Sequence, residues 1–207
     1  MGKSKKQTKK EKVFRIMSSM VKEGDGVLMR KSAREKGIHQ EYIRLFKEEN
    51  DMEELMPGVY SDKNMFTDEL HILQKRYTRG IYSHETALSL WDMTDIIPME
   101  YLMTFPRGYN NPNLKSLGVK IKFTPEEHYE IGKTTIKTTF GNDVIVYDRE
   151  RTLCDLFHTR HKADKSVVLD AIKRYTQSDD TDYQKLMRYA KLFKVDDKIR
   201  PYLEVLI

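Results

Sequence analysis

Apolar positions over the first sixty residues recur at helical spacing and then shorten into a hairpin pattern. Val13, Ile16, Met17, Met20 and Val21 share one face of a helix over about 10–23, and Gly24 and Gly26 end it. A short helix fits about 28–36, with Leu28 and Ala33 inward and Arg30, Lys31 and Arg34 outward. Gly37 and Ile38 make a tight turn. Tyr42, Ile43 and Phe46 mark one face of a third helix over about 39–49. Glu54-Leu55-Met56 and Val59-Tyr60 then flank Pro57-Gly58, which reads as a short β-hairpin. This order predicts a winged helix-turn-helix over 13–62. Ala33 is the small residue where two helices touch, and Gly37 sits where the chain reverses.

The remainder, 63–207, predicts a mixed α/β domain that ends in a helical bundle. The fold class is therefore α+β. Thr67 caps a helix over about 68–77, Gly80 breaks the chain, and Ser83 caps a helix over about 84–92. Residues 99–105, 119–123, 134–140 and 144–147 read as strands, the last two joined at Gly141-Asn142-Asp143. Asn110-Asn111-Pro112-Asn113 reads as an open loop. Helices follow over about 149–159, 165–177, 182–193 and 197–206, with Thr181 and Gln184 as a capping box for the third.

Charge changes this picture at one end. The formal net charge is +5, and residues 1–12 account for all of it, with six lysines against Glu11. The body is neutral and carries a flexible basic arm over 1–12, which suits nucleic acid or another anionic surface. Within the body, Arg30, Lys31, Arg34, Lys36, Arg44 and Lys47 cluster ahead of the acidic stretch 48–54. The length of 207 residues allows a sizeable core, and the aromatic content of 10% argues against disorder. The longest apolar run, Val144 to Tyr147, is far too short to span a bilayer, and no apolar stretch follows the basic start. Cys154 is the only cysteine, which fits a cytoplasmic protein.

In a helix-turn-helix, the second helix enters the major groove and its first residues meet base edges. Here His39, Gln40, Arg44 and Lys47 take that place. Gln pairs with adenine and Arg with guanine in bidentate fashion. Arg30, Lys31, Arg34 and Lys36 are placed for phosphates, as are Lys5, Lys6, Lys9 and Lys10 of the arm. Signals for catalysis are weak, and the reading is not an enzyme. Ser83-His84-Glu85 holds acid, base and nucleophile types, but neighbours at a helix start point in different directions. Cys154, His158 and His161 have helical spacing for a metal, yet no second cysteine exists. His158 and His161 are better read as C-terminal helix residues favoured by the dipole. No cofactor and no metal are expected.

Two longer stretches are similar to the AbiEi family, the antitoxins of type IV abortive-infection toxin–antitoxin systems. The first runs from Arg79-Gly80-Ile81-Tyr82-Ser83-His84-Glu85 through Trp91 to Asp95-Ile96-Ile97-Pro98. The second is Val146-Tyr147-Asp148-Arg149-Glu150-Arg151-Thr152-Leu153-Cys154-Asp155. With the front helices, the resemblance covers nearly all of the chain beyond the first dozen residues. It implies a protein that represses its own operon through a winged helix. It also implies a C-terminal domain that antagonises a co-encoded nucleotidyltransferase-like toxin without a stable complex. The partner is then double-stranded DNA carrying inverted repeats in its own promoter, bound by two copies of a protein that is monomeric in solution. No membrane partner is implied.

Arg151, Thr152 and Asp155 are expected to form an internal polar network that fixes a helix onto the strands. Lys165, Lys173, Arg174, Lys185, Arg188, Lys191 and Lys194 are the surface candidates for antitoxin action. The alternative reading is a stand-alone winged-helix transcriptional regulator whose C-terminal domain senses a ligand or a protein.

Overall fold

The computed structural model describes residues 8–111, 119–158, 161 and 163–206. Among the described residues, ten helices and two sheets make an α+β chain, which divides between Thr67 and Asp68 into two compact units. That boundary lies beyond the hairpin end at 62, because Met65 still belongs to the first unit. Its amide donates to the Asp62 carbonyl, and its side chain covers Gly26.

Helix α1 (Lys9–Glu23) opens the first unit. The Thr8 hydroxyl accepts from the Glu11 amide at 3.3 Å, and the Glu11 carboxylate accepts from the Thr8 amide at 3.0 Å. This capping box makes Lys9, Lys10 and Lys12 helical and not part of a flexible arm. Lys3, Lys5 and Lys6 lie outside the described residues. The unit continues with β1 (Val27–Met29), α2 (Arg30–Glu35), α3 (Gln40–Glu49), β2 (Met52–Met56) and β3 (Val59–Asp62). The three strands form an antiparallel sheet in the order β1-β3-β2. Residues 28 and 29, which the spacing assigns to a helix, are a strand because β3 offers them a pairing edge, with Leu28 opposite Tyr60. A three-residue strand shows no periodicity of its own. Met17, Leu28, Ala33, Ile38, Ile43, Phe46 and Tyr60 fill the core between helices and sheet. Each large side chain fully buried there contributes about 1.5–3 kcal/mol.

The second unit runs α4 (Glu69–Arg76), β4 (Ile81–Tyr82), α5 (His84–Leu90), β5 (Tyr101–Pro106), β6 (Val119–Thr124) and α6 (Glu126–Tyr129). It continues through β7 (Lys133–Lys137), β8 (Asp143–Tyr147), α7 (Arg149–Leu156), α8 (Lys165–Thr176), α9 (Tyr183–Leu192) and α10 (Asp196–Leu206). Its sheet has the order β6-β5-β4-β8-β7. The pairs β5/β6 and β4/β8 are parallel, and β4/β5 and β7/β8 antiparallel. The central strand β4 has two residues, both buried, too few to show in the sequence pattern.

Aspartates take several caps that the sequence reading gives to threonines. Asp68, not Thr67, caps α4 by accepting from the His71 amide, and Asp182, not Thr181, caps α9 by accepting from Lys185. A carboxylate both accepts the free amide and answers the positive end of the helix dipole. The Thr181 hydroxyl instead donates to the Tyr175 and Ser178 carbonyls. Helix α7 ends at Leu156, so His158 and His161 lie beyond it and are not last-turn residues. Asn110 and Asn111 are described as loop, whereas Pro112 and Asn113 lie outside the described residues.

Helices α7 to α10 pack on one apolar core that includes Leu153, Cys154, Ala171, Ile172, Leu186, Ala190, Val195 and Ile199. Beside it lies a buried ion pair. Arg151 Nε donates to Asp155 Oδ1 at 2.9 Å, and Nη1 donates to the His128 and Ile131 carbonyls at 2.8 and 3.1 Å. The guanidinium carbon also lies 4.3 Å from the Tyr147 ring centre and 4.0 Å from that of Phe193. Thr152 Oγ1 donates to the Tyr147 carbonyl, completing a network that ties α7 to β8.

Gly132 makes room for this arrangement. It sits at φ +79°, and a Cβ there would come within 2.6 Å of Arg151 Cβ. Gly141 has a similar φ of +82° but open space around it. Gly132→Ala should therefore destabilise the second unit by more than about 2 kcal/mol, and Gly141→Ala by about 1 kcal/mol. Urea unfolding of the two variants checks the order, and equal losses would rule out the clash with Arg151.

Candidate functional site

Two regions, one in each unit, concentrate the groups that chemistry would use. In the first unit, α2 and the turn to α3 present Lys31, Arg34 and Lys36 to solvent, with His39 and Gln40 exposed at the start of α3. The His39 ring accepts from the Glu41 amide and caps α3. Arg30, Lys31, Arg34 and Glu35 line a shallow surface groove. Other basic residues are engaged within the unit. The Arg30 guanidinium reaches the hairpin turn, where it would stand about 3 Å from a Cβ on Gly58. Lys47 lies 3.8 Å from the centre of the Tyr60 ring. Arg44 is held along its own helix by Glu41 at 2.7 Å and Glu48 at 2.6 Å. Lys10 pairs with Glu49, and Lys9 is exposed beside it in the first turn of α1. The exposed edge is thus Lys31, Arg34, Lys36, His39 and Gln40, with Lys31 4.0 Å from Glu35 and with Arg44 and Lys47 turned to internal partners.

The C-terminal basic residues do not form one face. Lys165, Lys173, Arg188 and Lys191 are exposed. Lys185 is a correction to the surface reading: its ammonium meets Asp148 at 3.0 Å and the buried Glu150 at 2.9 Å, and Glu150 also accepts from the Tyr175 hydroxyl. An ammonium that neutralises two carboxylates, one of them buried, is a structural group. Arg174 is held by Asp170 at 3.1 Å and by Asp95. Lys194 stands apart, in left-handed backbone at φ +57°, and lines the cavity described next.

That cavity, of about 530 Å³, opens in the second unit between the β5/β6 side of the sheet and the helices. Its cationic side chains are Arg107, Lys122, Arg151 and Lys194, and four histidines, His84, His128, His158 and His161, join them. Thr104 and Lys122 are register neighbours on β5 and β6, which brings them side by side. His84 is buried in left-handed backbone at φ +53°. Such a conformation costs a non-glycine residue about 1 kcal/mol or more and persists only where surroundings impose it. Ser83 holds the His84 ring in place. Its hydroxyl lies 2.9 Å from His84 Nδ1 and accepts from Thr104 Oγ1 at 2.8 Å. Ser83 sits at the N-cap position of α5 but makes no cap bond, because its oxygen is used in this chain.

A second chain runs alongside. Lys122 Nζ lies 2.9 Å from His161 Nδ1, and His161 Nε2 lies 2.9 Å from Glu85 Oε1. With Lys122 as donor, His161 carries its proton on Nε2 and gives it to the Glu85 carboxylate. Burial raises the Glu85 carboxyl, but the hydrogen bond from His161 outweighs it and leaves the group below its ordinary range. Burial lowers the Lys122 ammonium, and the nearby Lys120 adds to that. The rings of His84 and His161 are 4.3 Å apart. Burial, then the charge of Lys122, pushes His84 well below the usual histidine value, so its ring is neutral at pH 7. Asp155 Oδ2 is buried and has no hydrogen-bond partner among the described residues.

No protein-family profile and no curated protein sequence matches this chain. Among solved structures it is similar to the crystal structure of the RV2827C protein from Mycobacterium tuberculosis. The TM-score is 0.61, over 86% of this chain and 70% of that one, at 10% sequence identity. At that identity the likeness is one of fold.

Ser83, His84 and Glu85, expected to point in different directions, each join a bond network at the cavity, and Ser83 and His84 touch directly. What the sequence hides is the other half of each network. Thr104 and His161 are brought in by strand register and by a loop, and no spacing pairs Lys122 with His161. Cys154 is not with them. It is buried in the helical core, where burial pushes its thiol up.

A pH dependence follows from His84. The folded value lies below the ordinary 6.5, so below that pH the unfolded chain takes up a proton that the folded one refuses. Stability should fall as pH drops from about 6.5 toward the folded value. His84→Asn keeps a residue tolerant of left-handed backbone and should remove that component. Urea midpoints of both proteins from neutral to mildly acidic pH test this, and an unchanged slope in the variant would assign the sensitivity to the other carboxylates and histidines of the unit.

Proposed function

We propose that the first unit is a winged helix that binds duplex DNA and that the protein is a cytoplasmic repressor and antitoxin of the AbiEi kind. The exposed edge of Lys31, Arg34, Lys36, His39 and Gln40 carries the DNA reading. Helix, turn and helix present it next to a hairpin, the order of a winged helix-turn-helix. In this reading Gln40 and His39 meet base edges, and Lys31, Arg34 and Lys36 hold phosphates. Arg30 braces the hairpin turn, and Arg44 contacts DNA only after leaving Glu41 and Glu48. Two copies occupy inverted repeats in the promoter of the protein's own operon.

The antitoxin part rests on the two motifs that resemble the family, at 79–98 and 146–155. They are one piece of structure. Tyr82 of β4 pairs with Val146 of β8, and Trp91 Nε1 donates to the Tyr147 carbonyl at 2.8 Å. His84 from the first motif and Arg151 and Asp155 from the second line the same cavity. In this reading the second unit antagonises a nucleotidyltransferase-like toxin without a stable complex and without catalysis of its own. The cavity also favours a second reading, a regulator whose second unit senses a ligand. A toxin gene beside this one, with rescue of its toxicity on co-expression, separates the two.

Binding to the duplex upstream of the gene, against a scrambled duplex and over a series of salt concentrations, tests the repressor. Affinity should favour the native duplex and fall with salt. Arg34→Ala should weaken both duplexes and flatten the logarithmic salt slope by about 0.9. Gln40→Ala should cost about 1–3 kcal/mol on the native duplex alone. Equal binding to both duplexes overturns the repressor. For the antitoxin, reversal of the exposed Arg188 and Lys191 to Glu should abolish rescue on toxin co-expression. Rescue by that variant at the level of the unaltered protein would make those two residues merely solvated.

A further inference from the structure

We propose that the cavity of the second unit binds a nucleoside phosphate. Arg107 at the end of β5, Lys122 on β6, Arg151 on α7 and Lys194 after α9 all line it. Glu85 stands behind His161, and Asp155 is already paired with Arg151 through one oxygen. The lining is therefore cationic and calls for an anion. Lys122 is held by His161, which is itself oriented by Glu85, so the ammonium is positioned before any ligand arrives.

The site is built for more than a bare anion. A volume of about 530 Å³ lies within the range of small-molecule sites, about 300–1,000 Å³. The second oxygen of Asp155 is buried and lacks a donor among the described residues. A buried acceptor without a partner is destabilising, and a ligand hydroxyl or amine relieves it. Phe123, at 54% exposure, adds an aromatic surface at the rim. Phosphate for the cations, a hydrogen-bond donor for Asp155 and a planar group for Phe123 are together the parts of a nucleotide. Ile121, Pro125 and Leu192 supply apolar contact for the base. Binding here is independent of what the first unit does and holds under either reading of the protein.

Calorimetric titration of the full-length protein with AMP, GMP, CMP, UMP and their triphosphates, with inorganic phosphate as comparison, tests the proposal. At least one nucleotide should saturate a single site per chain and bind at least about tenfold more tightly than inorganic phosphate. Lys122→Gln and Arg107→Gln should each weaken it by about tenfold or more, the loss of one charge-assisted hydrogen bond. Arg107 is exposed and outside the bond networks, so its variant keeps the test informative if Lys122→Gln perturbs folding. Arg34→Ala, in the first unit, should leave binding unchanged. No heat from any nucleotide up to about 10 mM overturns the proposal. So does binding no tighter than that of inorganic phosphate, or binding lost in Arg34→Ala but kept in both cavity variants.

Discussion

Arg151 is a charge that cannot leave, and the second unit is arranged around keeping it. Its side chain is 3% exposed, two of its nitrogens donate to protein acceptors, and two aromatic rings lie against it. Asp155 holds one nitrogen, the His128 and Ile131 carbonyls another, and the rings of Tyr147 and Phe193 stand against the planar faces. Beyond α7 itself, these partners come from β8, from α6 and its connection to β7, and from the α9 end. A buried guanidinium without them would cost several kcal/mol, so the three elements are bound to one geometry by a single group. The requirement extends to residues with no charge, since the backbone beside Arg151 must approach closely enough that only Gly132 fits.

The same constraint sets the cavity wall. Asp155 spends one oxygen on Arg151 and leaves the other turned away from any protein donor among the described residues. Burial raises its carboxyl, against the pull of Arg151. Opposite, His84 and His161 are each fixed by a hydrogen-bond chain that begins on another element. Thr104 and Ser83 orient His84, and Lys122 and Glu85 orient His161. Rigid positioning by neighbours of neighbours distinguishes this lining from a chance hollow between helices.

Long periodic segments were legible in the sequence, and short paired ones were not. The helices at α1, α3, α8 and α9 carry their own apolar stripe, so local spacing suffices to find them. Strands β1 and β4 exist only because a partner edge is present, and neither has the length to alternate visibly. Lys185 shows the limit for surface charges. Its spacing with Arg188 and Lys191 suggests a shared face, but Asp148 and Glu150 draw it inward, and they belong to a different helix and its cap. The basic edge of the first unit was legible as composition. Which cations stay exposed depended on acidic neighbours, and Arg44, flanked by Glu41 and Glu48 at helical spacing, could have been read as paired.

The parallel pairing of β4 with β8 has a consequence for how the chain is made. Tyr82 cannot meet Val146 until the whole intervening stretch has left the ribosome, and Arg151 must follow before the pair is locked. The first unit closes on itself between α1 and β3, with no partner later in the sequence needed for its sheet. Synthesis from the N-terminus thus releases a finished small unit first. Behind it emerges a segment whose central strand pairs early with β5 but waits, with its other edge unpaired, for β8. Keeping that strand to two residues limits how much open edge is offered to other chains during the wait.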